Sequence, residues 1–186
     1  MSVIRVGRTL AEQILAGVRA IKMVDAGFRT TVVTSETGLS EETIRKLIHQ
    51  RRPGEVLPRG RIKLTDTMLV SPRARYEASL FILSYLAENS LQRNLNIDAV
   101  VAAYENMRAD VAKAFAAEAE LDVSDCWSLA RDLRSRALQT RLCDTCDMVY
   151  VVGSLLASPE KSCPYCYGYN ARTKDTGHTQ MKLGFG

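Results

Sequence analysis

Histidine is scarce in this chain: 186 residues hold two, His49 and His178, far apart in sequence. They make no ligand pair, and no Ser/His/Asp arrangement, phosphate-cradling glycine loop or carboxylate pair points to catalysis. No apolar run reaches the roughly 18 residues that a membrane-spanning helix needs. The start, Met1-Ser2-Val3-Ile4-Arg5, lacks the apolar core of a secretory signal, so a cytoplasmic protein without a membrane partner is expected. Internal repeats and low-complexity segments are lacking too. In a reducing compartment, five cysteines read as metal ligands or reactive thiols rather than as disulfides.

What is present fits a folded protein. The chain is 46% hydrophobic and 25% charged, enough apolar matter for a sizeable core. Its length suits one domain, or one with a small appendage. The net charge of +4 is unevenly spread: residues 41–75 carry nine basic and four acidic side chains, residues 76–125 three basic and nine acidic. Such blocks suggest basic regions facing a polyanion and an acidic middle facing something else, a subunit interface or solvent.

Thr9-Leu10-Ala11-Glu12 has the form of a capping box, and Leu10, Ile14, Val18 and Ile21 recur at helical spacing up to Gly27. This predicts a helix from about Leu10 to Ala26. A short helix over about 30–37 is broken by Gly38, and Ser40 caps another from Glu41 to about Gln50, with Ile44, Leu47 and Ile48 inward. Proline and glycine then interrupt a basic arm over 51–73, with a short extended piece at 62–64. Three further helices are expected: Arg73 to about Leu91 around Tyr76, Leu80, Leu83 and Leu86; Ile97 to about Leu121; and Ser124 to about Thr140, including Ala137 and Leu138. The expected fold is mainly α. A helical domain over 1–140 contains a helix-turn-helix-like segment at about 30–50, and 141–186 form a zinc-binding region with a flexible tail.

The strongest chemical signal is Cys143-x2-Cys146-x16-Cys163-x2-Cys166. Each tight C-x-x-C turn presents two sulfurs to one metal, and the intervening stretch returns the chain to complete a tetrahedron. The β-branched run Val149-Tyr150-Val151-Val152 suits a strand, so the region reads as a small four-cysteine zinc ribbon or knuckle. Four thiolates leave no open position for water, so one Zn2+ per chain would be structural, contributing on the order of 10 kcal/mol to folding. Cys163-Pro164-Tyr165-Cys166 is also a glutaredoxin dithiol, but no βαβ pattern precedes it and a redox enzyme is not expected. Cys126, beside Trp127, reads as a buried apolar cysteine.

Residues 32–47 have the layout of a helix-turn-helix, with Gly38 in the turn and Ile44 and Leu47 anchoring the second helix. Glu42, Thr43, Arg45, Lys46 and His49 face outward. The candidate DNA contacts are Arg45, Lys46, His49, Arg51, Arg52, Arg59, Arg61 and Lys63, since phosphate neutralisation supplies much of the affinity for nucleic acid. Glu41 and Glu42 put two carboxylates at the start of the same helix.

Ser35-Glu36-Thr37-Gly38-Leu39-Ser40, Arg45-Lys46-Leu47, Leu57-Pro58-Arg59-Gly60 and the cysteine quartet together resemble the FlhC family. These are C subunits of the flagellar master transcriptional activator and relatives encoded on conjugative elements. The resemblance implies that Cys143, Cys146, Cys163 and Cys166 bind zinc, and that the chain joins a D-type (FlhD-like) subunit on promoter DNA to recruit RNA polymerase. The competing reading is a protein-interaction module that zinc only stiffens, with its basic regions solvated and no direct DNA contact.

Overall fold

The computed structural model describes residues 9–55, 60–89, 95–153 and 163–166. Arg59, His178 and the tail from Ala171 lie outside the described residues. Helix α1 (Leu10–Asp25) starts at the expected capping box: Thr9 N donates to Glu12 Oε2 at 2.8 Å and Glu12 N to Thr9 Oγ1 at 3.3 Å. It ends before Gly27, whose φ of +84° is left-handed. A Cβ there would also meet Arg52 Nη1 at 3.1 Å, so the position is fitted to glycine twice over. Helix α2 (Thr30–Thr37) stops at Gly38, φ +60°, and α3 (Glu41–Arg51) begins at Ser40, whose hydroxyl accepts from Thr43 N.

The stretch expected to be an irregular arm is only partly so. Helix α3 runs into it to Arg51, a one-turn helix α4 (Thr65–Met68) lies within it, and α5 (Pro72–Asn89) starts inside its far end. Helix α6 (Ile97–Phe115) is shorter than its pattern suggested. It ends at Ala116, φ +49°, because the buried Glu77 carboxylate of α5 accepts from Glu120 N and Leu121 N and draws the chain across. Helix α7 (Val123–Arg134) opens with a second capping box, Asp122 and Asp125.

Helix α7 does not reach Thr140 either. Arg136 adopts φ +62°, and Leu138–Leu142 forms strand β1, paired antiparallel with β2 (Val149–Gly153), Leu138 opposite Gly153 and Leu142 opposite Val149. The helical spacing of Ala137 and Leu138 is overridden by the pairing available from the β-branched run. The hairpin rests on the helices: Leu138, Val151 and Val152 are buried, and Val151 N donates to Ser79 Oγ of α5 at 3.1 Å.

Helices α1, α2 and α3 pack on one another, while α5, α6, α7 and the hairpin form the rest of a continuous core. Two helices present different faces from those expected. In α1 the buried residues are Ala20, Met23 and Val24, while Leu10, Ile14, Val18 and Ile21 are exposed. In α5 the buried apolar residues are Ala74, Ala78, Phe81, Ile82 and Tyr85, joined by the polar Glu77, Ser79 and Asn89, and Leu86 is exposed.

Candidate nucleic-acid interface and metal centre

The turn between α2 and α3 spans Gly38, Leu39 and Ser40, the compact connection of a helix-turn-helix. Ile44 is buried on α3's inner side and Leu47 and Ile48 pack beside it, which leaves Glu42, Thr43, Arg45, Lys46 and His49 exposed along its outer side. Helix α1 supports both. This is the expected arrangement, with one electrostatic addition. Arg45 pairs with Glu41 at 2.6 Å and Lys46 with Glu42 at 2.8 Å, so the two carboxylates that begin α3 lie over the cations of its outer face.

The remaining basic candidates divide. Arg51 grips Asp25 of α1 through Nε at 3.0 Å and Nη2 at 2.5 Å, and these bonds hold the Asp25 carboxyl below its ordinary range. Arg52 folds back so that Nη1 donates to the Val24 carbonyl and Nη2 pairs with Glu55. Lys63 Nζ lies 2.7 Å from Asp125, a carboxylate only 1% exposed. Arg61 is exposed.

The arm is tethered to the body beside the start of α2: Thr31 Oγ1 donates to the Gly60 carbonyl and Arg29 Nη1 to that of Arg61. Arg29, almost fully buried, also meets Asp122 at 2.5 Å and Asp125 at 3.0 Å, while its backbone N–H donates to Ser124 Oγ at 2.8 Å. Trp127 Nε1 donates to Glu36 of α2. The helix-turn-helix is thus fixed to the start of α7 by a largely buried polar cluster. Sequence reasoning passed over Arg29. Its signal is the acidic pair Asp122 and Asp125, close together in sequence at the start of α7.

The four cysteines converge. One sulfur of each lies within 4.8 Å of the others. Cys143 Sγ is 3.7 Å from Cys166 Sγ, and Cys146 Sγ 3.7 Å from Cys163 Sγ. A tetrahedron of sulfurs about 2.3 Å from a central ion has edges of about 3.8 Å, so the separations fit one closed thiolate site. Strand β1 leads into Cys143, a turn carries Cys146, and a single helical turn at 164–166 presents Cys166. Backbone N–H groups of Thr145 and Cys146 point at the Cys143 sulfur and hold that thiol down to about 6, favouring the ligating thiolate. Burial pushes the Cys163 thiol up to about 11 and raises that of Cys166, a cost that a bound cation offsets.

One residue between the second pair of cysteines also matters. Tyr165 packs edge-on against Tyr76 of α5, with ring centroids 5.2 Å apart, and Tyr76 packs edge-on against Phe115 of α6 at 5.3 Å. The cysteine cluster is therefore seated on the helical body. Cys126 lies apart from it, fully buried, and burial raises its thiol well above the ordinary value.

A family model described as "Flagellar transcriptional activator (FlhC)" matches residues 8–179. The chain is also similar to three proteins named flagellar transcriptional regulator FlhC. That of Proteus mirabilis is 24% identical over 147 residues, covering 79% of this chain and 76% of the relative. That of Cupriavidus metallidurans is 24% identical, covering 71% and 61%; that of Paraburkholderia phymatum is 26% identical, covering 77% and 65%. The chain thus spans less than two thirds of the length of the latter two.

Proposed function

This chain belongs to the FlhC family of flagellar transcriptional activators, and from that premise we propose that it is a zinc-containing, DNA-binding activator subunit. It acts with a D-type, FlhD-like partner in a hetero-oligomer that engages RNA polymerase in the cytoplasm, at flagellar or conjugative-transfer promoters. It is not an enzyme. The observation that carries the reading is the outer side of α3, free of packing and carrying Thr43, Arg45, Lys46 and His49 at the helix-turn-helix position that enters a major groove.

Arg45, Lys46, His49 and Arg61 make the first contacts with DNA, joined by Arg59. Arg51, Arg52 and Lys63 contribute by their field and by exchanging internal partners for phosphate. Exposed pairs such as Arg45 with Glu41 are worth only about 0.3–0.5 kcal/mol, so DNA competes for these cations easily.

The ion is zinc, one per chain, held by Cys143, Cys146, Cys163 and Cys166. Soft thiolates in a tetrahedron select zinc or iron, and a colourless protein distinguishes zinc. Bound there, the ion supplies cross-linking rather than chemistry at an open coordination position.

The test is binding to promoter DNA with the partner present, titrated against salt. Replacing Arg45 and Lys46 by Ala should weaken binding and flatten the log–log salt slope by about two. An unchanged slope would move the DNA surface elsewhere. The pairing of both α3 cations with Glu41 and Glu42 favours the second reading, a zinc-stiffened interaction module, and absence of any promoter-specific shift at moderate salt would select it.

A further inference from the structure

Most of the described lysines and arginines pair with a carboxylate, both cations of α3 included. Among the described residues, the exposed ones that pair with none are Arg61, Arg134, Arg136 and Arg141. Three of these four lie within residues 134–141, at the end of α7 and in the strand that follows. Arg141 stands two residues before Cys143, where the negative charge of the thiolates competes for it, so the surface is drawn without it.

This surface connects to the helix-turn-helix. Trp127, Arg131 and Arg134 stand at i, i+4 and i+7 and so share one face of α7. Arg131 lies over the Trp127 ring, 5.1 Å from its centroid, and Trp127 Nε1 donates to Glu36 Oε1 at 3.0 Å. Glu36 belongs to the last turn of α2, two residues before Gly38 and the turn that presents α3. The cationic face of α7 therefore begins beside that turn and runs along the helix past its end, about 10 Å from Trp127 to Arg134 at 1.5 Å per residue. The dipole of α7 accounts for cations in its last turn, Arg131 and Arg134. It does not account for Arg136, which stands beyond the cap with a left-handed backbone, φ +62°, where glycine or asparagine costs less than arginine.

We propose that Arg134 and Arg136 form a second DNA contact, binding backbone phosphates beside the groove that α3 enters; this rests on the DNA-binding reading above. Unpaired guanidinium groups are the forks that phosphate oxygens take two at a time. An acidic protein segment fits less well, because residues 134–137 (Arg-Ser-Arg-Ala) offer no large apolar anchor of the kind that protein interfaces are built around. Arg134 and Arg136 need give up no carboxylate partner to bind, unlike Arg45 and Lys46. They contribute affinity without reading sequence.

The experiment uses the full chain co-expressed with the D-type subunit, with binding to promoter and to unrelated DNA titrated against salt. Arg134→Gln with Arg136→Asn removes both charges, and asparagine tolerates the left-handed backbone. Both side chains are exposed, so metal content and helical circular dichroism should stay as in the wild type. Affinity should fall about tenfold at 0.1 M salt on promoter and unrelated DNA alike, with the log–log salt slope flattened by about two. Arg108→Gln with Lys113→Gln, which removes the same charge from α6, should leave the slope within about half a unit. An unchanged slope in the Arg134/Arg136 variant, where the Arg45/Lys46 variant flattens it, overturns the second contact and leaves the DNA-binding reading intact. Equal flattening by the α6 variant overturns it in favour of bulk charge. Loss of co-elution with the D-type subunit while the DNA slope is kept overturns it in favour of an acidic protein surface. Absence of DNA binding by the wild-type complex overturns the reading it rests on, and the inference with it.

Discussion

Asp125 and Glu77 are the residues on which the interior depends most sharply. Asp125 is 1% exposed between Arg29 and Lys63; Glu77 is fully buried and takes Arg73 Nε at 3.0 Å and two backbone N–H groups. A buried carboxylate kept with all its partners adds little net stability, but removing one partner leaves a charge uncompensated at a cost of about 3–5 kcal/mol. Arg29→Met should therefore lower the unfolding free energy by about 3 kcal/mol or more, measured by urea denaturation. Lys63→Met should cost less than Arg29→Met in the same measurement, because Arg29 still pairs with the Asp125 carboxylate once the half-exposed ammonium is gone. The exposed Asp25–Arg51 pair is a different case. Its carboxyl is held below 3.8, so its small contribution is present above that value and disappears as acid protonates Asp25.

Among the elements, α3 shows how local chemistry and function meet. Ser40, Glu41 and Glu42 start the helix well: the hydroxyl caps it, and the carboxylates sit at the positive end of its dipole. The same carboxylates cover Arg45 and Lys46. Glu41→Gln with Glu42→Gln should therefore raise affinity for DNA by about tenfold at low salt, with less than about 1 kcal/mol of stability lost. Fluorescence anisotropy on labelled promoter DNA, set beside thermal melting, checks both halves. The caps, the turn at Gly38 and the end of α1 at Gly27 were legible in sequence because each rests on residues within four positions. The inner sides of α1 and α5 were not. Both helices carry apolar residues on more than one side, and only the neighbour they meet selects which side is buried.

For the whole molecule, the cysteine cluster ties the end of the chain to its middle. The hairpin sits on α5 through Ser79 and Val151, and Tyr165 reaches Phe115 of α6 through Tyr76. Metal removal should free four thiols while leaving Cys126 closed inside the core. With the ion bound, a thiol reagent should react slowly; after chelation it should count four thiols, and the fifth only in denaturant. Five thiols released together on chelation would mean that the helical body unfolds with the cluster. Tyr165→Ala should lower stability by about 2–4 kcal/mol and leave the metal stoichiometry at one, because the change removes the seat and spares the ligands.

The sequence by itself determined whatever depends on neighbours along the chain. The capping box at Thr9 and Glu12, the Ser40 cap, the glycine turn between α2 and α3, the strand at 149–152 and the ligand spacing of the quartet are all written in short range, where a few bonds or two sulfurs fix the geometry. Tertiary structure alone decided that 138–142 is a strand, since pairing energy came from a segment seven residues beyond its end. It also decided that Lys63 closes a buried charge cluster, and that the apolar side of α1 carrying Leu10 and Ile14 faces outward. These outcomes turn on which surfaces meet, and the free energy of burial belongs to the pair of surfaces rather than to either sequence.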